Sequence, residues 1–255
     1  ANEDGKWNSD DVTHSVKLIH EFDDTLSGYI SHSTGFKAIS TNLGANATVY
    51  AGLPMDPSIY FANPEEAENF EVGFKKTFSN GYLNMSFFHM AVEGYQSNLF
   101  IGTGFNLVNI GEQTNKGVEI DSLFFLNENF VVTFAASYID ATYNDFKNGP
   151  CDRTFVPPAS DDCPIVNGGP ARVKDFTGRR PSGVPELAIT VSGTYTFDLT
   201  ENMTGYIRGE YVYEDEYQAT DAVPVEVPGA LRKVGTLNAS LGVKDSASGF
   251  SLMSV

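Results

Sequence analysis

The sequence has few basic residues and no long apolar run. Sixteen Lys and Arg residues stand against 33 Asp and Glu residues, and the formal net charge is −17 over 255 residues. Nucleic acid is therefore a poor partner, because phosphate contacts require clustered Lys and Arg. No stretch approaches the roughly 18 apolar residues of a membrane-spanning helix. Residues 1–4 also lack the basic and apolar segments of a signal peptide.

Cysteine is scarce as well. The two cysteines, Cys151 and Cys163, lie close together in a stretch rich in Pro and Asp. A disulfide between them would close a small loop, which the chain-entropy model values at about 3 kcal/mol. Zinc is a competing interpretation, but zinc normally takes four ligands and no His or further Cys lies nearby. Two free thiols are the other alternative. We expect the disulfide, which would place this loop in an oxidising compartment.

Period-two alternation of apolar and polar residues is abundant, and this pattern is typical of β-strands. In the clearest example, residues 187–197, Leu, Ile, Val, Tyr and Phe alternate with Ala, Ser and Thr. A short polar turn at 198–202 and a second alternating segment follow, which predicts an antiparallel pair. The same unit recurs along the chain and predicts roughly ten strands, with further pairs in residues 12–38, 70–95, 118–138 and 237–250.

The connections between these strands fall into two length classes. The short class comprises residues 23–25, 79–81, 127–129, 198–202 and 245–249. The long class comprises about residues 39–65, 96–105, 147–183 and 219–230. Regular alternation of short and long connections is typical of outer-membrane barrels, which have short periplasmic turns and long extracellular loops.

The two faces of the predicted sheet differ in polarity. A soluble sheet with one wet face shows the same alternation, but the predicted strands exceed the usual five or six residues and suit a tilted membrane span. Because lipid offers no hydrogen bonds to the backbone, such a sheet has to close. We therefore predict an all-β, antiparallel transmembrane barrel with its apolar face on lipid. An aromatic girdle is expected near the long loops, formed by Tyr95, Tyr138, Tyr143, Tyr211, Tyr213 and Tyr217.

Three stretches carry distinctive strand motifs. They are YISHSTGFKA at residues 29–38, PEEAENFEVGFK at 64–75 and NIGEQTNKGVE at 109–119, and segments 138–143, 178–185 and 238–241 follow them. In this order the stretches resemble strands of TonB-dependent outer-membrane receptors, in the C-terminal part of the β-barrel domain. The resemblance covers residues 12–250.

The resemblance implies about ten meander strands of a 22-strand barrel. Open sheet edges are not tolerated in lipid, so we expect residues 1–255 to be one partial barrel domain of a longer polypeptide. The plug domain, the first strands and the last strand would lie outside it. The implied location is the outer membrane of a Gram-negative bacterium, with membrane lipid and lipopolysaccharide as partners.

The family resemblance also implies a function. Receptors of this kind take up a scarce small-molecule nutrient, most often a ferric siderophore, with energy from the TonB complex acting through the plug domain. Four cations follow the cysteine loop, and Arg forks suit carboxylate, phosphate or catecholate oxygens. The expected contacts to an anionic nutrient are therefore Arg172, Lys174, Arg179 and Arg180. Lipopolysaccharide phosphates and nearby aspartates are the alternative partners of these four side chains.

No enzymatic motif is apparent. The segment Gly102-Thr103-Gly104 lacks the third glycine of a dinucleotide-binding fingerprint, and no Ser lies in a G-x-S-x-G motif. Four histidines are scattered without metal-ligand spacing: His14, His20, His32 and His89. We expect no catalysis, no cofactor and no metal site.

Two other classes of protein stay open. A passive porin or channel would share the barrel but need no plug, and a soluble, secreted all-β ligand-binding module would bury the apolar faces against a second sheet. What these faces contact therefore decides between a membrane protein and a soluble one.

Overall fold

The computed structural model describes residues 9–41, 61–101, 104–147, 149–150, 173–221, 228–245 and 247–254. These residues form fourteen strands and no helix. None of the described segments is a helix long and apolar enough to cross a bilayer. The strands are β1 (Ser15–Asp23), β2 (Leu26–Lys37), β3 (Ser40–Thr41), β4 (Phe61–Ala62), β5 (Glu65–Phe78), β6 (Gly81–Ile101), β7 (Gly104–Asn127), β8 (Phe130–Asp145), β9 (Gly149–Pro150), β10 (Val173–Lys174), β11 (Leu187–Thr200), β12 (Met203–Gln218), β13 (Leu231–Asp245) and β14 (Ser251–Ser254).

Ten of the strands form one antiparallel sheet. Their order is β1-β2-β5-β6-β7-β8-β11-β12-β13-β14, so each main strand lies beside the main strands that precede and follow it in sequence. The remaining strands form two small pairs, β3 with β4 and β9 with β10, inside the long connections. The predicted all-β fold and the ten meander strands are confirmed.

The short turns close through side-chain hydrogen bonds. At the β1–β2 turn, Asp23 Oδ1 accepts hydrogen bonds from the backbone N–H groups of Thr25 at 2.7 Å and Leu26 at 2.9 Å. Ala247 N donates to Asp245 Oδ1 at 2.9 Å in the turn before β14. Such Asx turns replace backbone hydrogen bonds, which explains why Asp in the short polar segments predicted the turns.

The predicted long connection at 96–105 is wrong in its bounds. Strand β6 continues to Ile101 and β7 begins at Gly104, and the pair keeps one register from Gly81↔Phe124 to Ile101↔Gly104. Glycines, which are frequent in loops, occupy positions 94, 102 and 104. However, Gly94 bends the strand with a φ of +63° without ending it.

Gly94 is expected to be a sensitive position. A Cβ there would lie 2.8 Å from the carbonyl oxygen of Pro64, in a backbone conformation that L side chains rarely adopt. We expect Gly94→Ala to lower the free energy of unfolding by about 1–3 kcal/mol, measured by urea denaturation. Gly209→Ala is the matched control, because a Cβ on Gly209 meets nothing within 4 Å. Equal effects of the two substitutions would contradict this prediction.

The sheet register gathers the apolar side chains on one face. One row of successive cross-strand partners consists of Leu18, Ile30, Val72, Phe87, Val118 and Tyr138. Many of these side chains are exposed, for example Leu18 at 69% and Ile30 at 43%, and Ile207 further along the sheet is 55% exposed. On β5 the band runs from Phe70 to Phe78, which matches the 9–11 residues of a tilted transmembrane strand.

One cation interrupts this band near the short turns. Lys76 belongs to the same face as Phe74, but its Nζ reaches the β1–β2 turn, where it donates to Thr25 Oγ1 at 2.5 Å and lies 3.8 Å from Asp23 Oδ1. A long cationic side chain that extends towards a polar boundary in this way is typical of membrane interfaces.

The apolar face has no second sheet packed against it within the described segments. The main sheet is the only large one there, and the two additional sheets have two strands each. A soluble sandwich would cover this face, since its two sheets pack face to face about 10 Å apart. The exposed band therefore favours contact with hydrocarbon over a soluble module.

The predicted aromatic girdle is correct only in part. Tyr138 and Tyr211 lie on the apolar face, 46% and 43% exposed. Tyr143 is 4% exposed and packs in a buried cluster with Tyr95 beside it, so these two rings do not belong to a girdle.

Candidate functional site

A small hydrophobic core lies at the long-connection end of β6, β7 and β8. This rim cluster consists of Ile110, Tyr143, Phe146 and Phe176, with Tyr95 packed against it. The Phe146 ring lies edge-on to Tyr143 at 4.9 Å and to Phe176 at 5.3 Å between centroids. Because Phe176 is fully buried, the cluster attaches the end of a long connection to the wall of the sheet.

The segment around Phe176 has its own turn chemistry. Asp175 Oδ1 accepts a hydrogen bond from Thr177 N at 2.9 Å, and Gly178 has a φ of +83°. Two backbone bonds then fasten the turn to β8, from Phe176 N to Phe146 O and from Gly178 N to Tyr143 O, each 2.7 Å long. Hydrogen bonds from Thr177 hold the pKa of the Asp175 carboxyl below its ordinary value.

A half-buried acid, Asp221, joins a second long connection to the rim cluster. Tyr143 Oη donates to Asp221 Oδ2 at 3.3 Å, and Gly183 N donates to Gln218 O at 2.8 Å. Burial raises the pKa of Asp221, although hydrogen bonds from Ser182 and Tyr143 act in the opposite direction. Burial also raises the pKa of Tyr143.

The raised pKa of Asp221 makes the attachment of these two connections pH dependent. A carboxyl whose pKa is higher in the folded state contributes stability at low pH and loses it as the pH rises through the folded-state pKa. We therefore expect hydrogen-exchange protection of amides 176–183 to fall between about pH 4 and neutral. Asp221→Asn, which carries no charge, should flatten this profile and increase protection at pH 7.

Asp175→Asn is the matched control for Asp221→Asn. The pKa of Asp175 is lowered, so its contribution is present at neutral pH and is lost as the pH falls through the folded-state pKa. The control should therefore decrease protection at pH 7. Loss of protection in both variants at pH 7 would contradict the assigned role of Asp221.

Two of the predicted anion-binding cations, Arg179 and Arg180, lie beside the rim cluster. The Arg179 guanidinium lies over the Phe176 ring, 4.7 Å from its centroid. Arg180 turns to the wall, where Nη1 donates to Ile139 O at 2.8 Å and Nη2 lies 3.4 Å from Glu186 Oε2. Lys174 is half-buried in β10. Arg172, Cys151 and Cys163 lie outside the described residues.

The sequence did not predict the role of Gln96, a buried polar side chain. Gln96 is 5% exposed, and its side chain donates to Ala38 O at 3.0 Å and Asn63 O at 2.8 Å, while its Oε1 accepts from Ser40 Oγ at 2.7 Å. Gln96 N also donates to Glu65 Oε2 at 2.8 Å. One buried amide thus binds both ends of the connection between β2 and β5.

The polar face carries hydrogen-bonded charged and polar side chains. Arg208 Nη2 donates to Glu210 Oε2 at 2.6 Å. Asn84 Nδ2 donates to Asp121 Oδ1 at 2.8 Å. An open hollow of about 460 Å³ lies beside Asp121, and its lining includes Lys75, Glu119 and small residues of β8 and β11.

These features describe one wall of a sheet with ordered connections folded against one end. No group of three or more His, Cys, Asp or Glu side chains is placed to hold a metal ion in the described ranges. An antiparallel meander with a membrane-height apolar band, a polar opposite face and folded connections at one end is the wall of an outer-membrane β-barrel.

The chain belongs to the TonB dependent receptor-like, beta-barrel family, which matches residues 1–252. The chain is therefore part of an outer-membrane protein of Gram-negative bacteria, as the sequence motifs predicted. This is a family of receptors, not of enzymes.

A curated relative and two solved structures are similar to this chain. The probable TonB-dependent siderophore receptor PiuA of Acinetobacter baumannii is 25% identical over 215 residues, which cover 82% of this chain and 26% of that protein. The chain thus spans about a quarter of this relative. The ferric yersiniabactin uptake receptor FyuA of Yersinia pestis has a TM-score of 0.61 at 16% identity, covering 89% of this chain and 29% of its own. The structure of PiuA has a TM-score of 0.60 at 17% identity, covering 91% and 29%.

Proposed function

We propose that this chain forms part of the barrel wall of a receptor that imports a scarce nutrient across the outer membrane. It also supplies the ends of the long connections, where they join the wall. A ferric siderophore is the proposed nutrient, and the TonB complex supplies the energy through a plug domain. Residues 1–255 are then one part of the barrel domain of a longer polypeptide that also contains the plug and the other strands. Lipid and lipopolysaccharide surround the apolar face.

Family membership is the observation that carries this proposal. The family match extends over residues 1–252, and the 25% identical relative is named as a siderophore receptor. The geometry is compatible with the proposal, since the apolar band suits lipid and the polar face suits a filled or hydrated lumen. The described residues at the ends of the long connections are folded against the sheet.

Contact with an anionic nutrient is proposed for the cations after the cysteine loop. The candidates are Arg172, Lys174, Arg179 and Arg180, and the last of these also lies 3.4 Å from Glu186 Oε2. The Cys151–Cys163 disulfide, if formed, would restrain the loop that precedes them. Guanidinium and ammonium groups bind carboxylate or catecholate oxygens through charge-assisted hydrogen bonds.

The test uses the complete receptor in a bacterial strain that lacks its own siderophore receptors. We expect ⁵⁵Fe-siderophore to bind these cells with or without a functional TonB complex, and to accumulate only with TonB. Accumulation that is independent of TonB and proportional to concentration would instead indicate a passive porin. Absence of binding with hydroxamate, catecholate and carboxylate siderophores would contradict the siderophore assignment.

The ligand contact is tested separately. Lys174→Gln combined with Arg179→Gln should weaken siderophore binding by about tenfold or more, since charge-assisted hydrogen bonds contribute roughly 1.5–3 kcal/mol each. Lys147→Gln is the control, because Lys147 is an exposed cation on the same rim, 3.5 Å from Asp145. Equal binding by the double variant and the control would remove these cations from the site.

A further inference from the structure

Two histidines from neighbouring strands meet on the outward face, at the border between the apolar band and the polar rim. His14 precedes β1 and lies opposite Thr34, since Thr34 N donates to His14 O at 2.9 Å. His32 of β2 pairs with Val16, so the two histidines are diagonal cross-strand neighbours. His14 Nε2 and His32 Nδ1 approach to 3.2 Å.

This nitrogen separation fits two ligands of one metal ion. Imidazole nitrogens bind zinc at about 2.0–2.1 Å, and two nitrogens at that radius and 3.2 Å apart subtend roughly 100° at the metal, close to the tetrahedral angle. The ring planes are inclined by 47° with centroids 5.1 Å apart, so the rings are not stacked on each other. The two ring nitrogens are therefore close enough to bind one ion.

The other nitrogen of each ring also has a partner. His32 Nε2 lies 2.8 Å from Glu68 Oε1 on β5, and His14 Nδ1 lies 3.3 Å from Thr34 Oγ1. A carboxylate that accepts a hydrogen bond from the distal nitrogen of a histidine is the usual second contact of metal-bound imidazole, where it fixes the tautomer and increases ligand basicity. The Phe70 ring, 5.3 Å from that of His32, restrains the imidazole from the side.

From this geometry we propose that His14 and His32 form a binding site for a divalent transition-metal ion. The two imidazole nitrogens are the protein ligands, and water completes the coordination, because the described residues offer no third His, Cys, Asp or Glu in reach. Glu68 is a positioning residue that orients His32. Imidazole ligands suit Cu²⁺ and Zn²⁺, and Cu²⁺ binds more tightly than Zn²⁺ to a given nitrogen site.

The site was not recognised in the sequence because its ligands are eighteen positions apart and belong to different strands. Only the β1–β2 register brings them together. The proposal does not depend on the transported nutrient, and failure of siderophore uptake would leave it unaffected.

Metal titration of the complete receptor tests this proposal. The purified protein in detergent is treated with a chelator, dialysed, and titrated with ZnCl₂ and with CuSO₄ by isothermal calorimetry. We expect a binding event in the parent protein that disappears in His14→Ala and in His32→Ala. We expect Glu68→Ala to weaken this event about 10- to 100-fold. The electron paramagnetic resonance spectrum of bound Cu²⁺ should show hyperfine coupling to two nitrogens.

His20→Ala and His89→Ala are the matched controls, since each removes a histidine of the same face, from β1 and from β6, that is not part of the pair. They should bind metal as the parent does. Heat-modifiable migration on SDS gels identifies folded variants, and His14→Gln and His32→Gln replace any alanine variant that fails to fold. Unchanged binding after loss of either His14 or His32 would overturn the site. An absence of binding in the parent would show that the two rings form only a direct hydrogen bond.

Discussion

Replacement of Phe176 with alanine should detach the end of the longest connection from the sheet. Phe176 is fully buried in the rim cluster and pairs edge-to-face with Phe146. Removal of a buried Phe side chain leaves a cavity and typically costs about 3–5 kcal/mol. The loss should be local, because the ten-stranded sheet does not depend on this contact.

Limited proteolysis measures this effect. In the Phe176→Ala variant we expect new cleavage between residues 173 and 186, and faster hydrogen exchange at amides 176 and 178, which bond to β8. Phe250→Ala is the control, because Phe250 is 63% exposed. If the two variants resist protease equally, the rim cluster does not hold the segment.

A charge on the middle of the apolar face should destabilise the protein strongly. Val191 lies on this face in β11, opposite Phe134 of β8 and Tyr211 of β12. An Arg near the bilayer midplane costs about 2–4 kcal/mol on the lipid face of an outer-membrane barrel. Val191→Arg should therefore lower the free energy of unfolding in lipid by that amount.

Thr190→Arg is the control for the size of the introduced arginine side chain. Thr190 is the preceding residue, so its side chain points to the polar face, where it lines the hollow that also contains Glu119 and Asp121. An added cation there meets two carboxylates and should be tolerated. Both variants are folded into vesicles and unfolded with urea. Similar losses of stability in the two would mean that the apolar face does not contact hydrocarbon.

The sheet was predictable from the sequence because its determinants are local. Side chains of a strand alternate between faces, so residues 187–197 identify their own apolar face without reference to the remainder of the chain. Asp23 and Asp245 likewise form their turns with residues two or three positions away. The strand motifs then indicated the family to which the chain belongs.

The rim cluster was not predictable because its contacts join distant residues. Phe176 meets Phe146 thirty positions earlier, and Asp221 meets Tyr143 across another connection. The Asp175-Phe176-Thr177-Gly178 sequence is a turn signal that could have indicated an ordered segment. Its docking partner is visible only in three dimensions. The bounds of the β6–β7 connection were wrong because a glycine inside a strand resembles a glycine in a loop.

The length of the β6–β7 hairpin affects the surface that a receptor of this kind presents outside the cell. From His89, at the upper border of the apolar band, β6 continues to Ile101 in unbroken register with β7. Strand β5 accompanies β6 as far as Glu93, and β8 accompanies β7 from Glu112 onward. The two-stranded part of the hairpin therefore covers residues 94–101 of β6 and extends about 25 Å along its own axis, at about 3.3 Å per residue. It therefore extends beyond the apolar band at the end of the sheet that carries the long connections, which is the extracellular end in outer-membrane barrels. In a receptor of this family, a macromolecule that approaches from outside the cell would meet this part of the hairpin among the long connections.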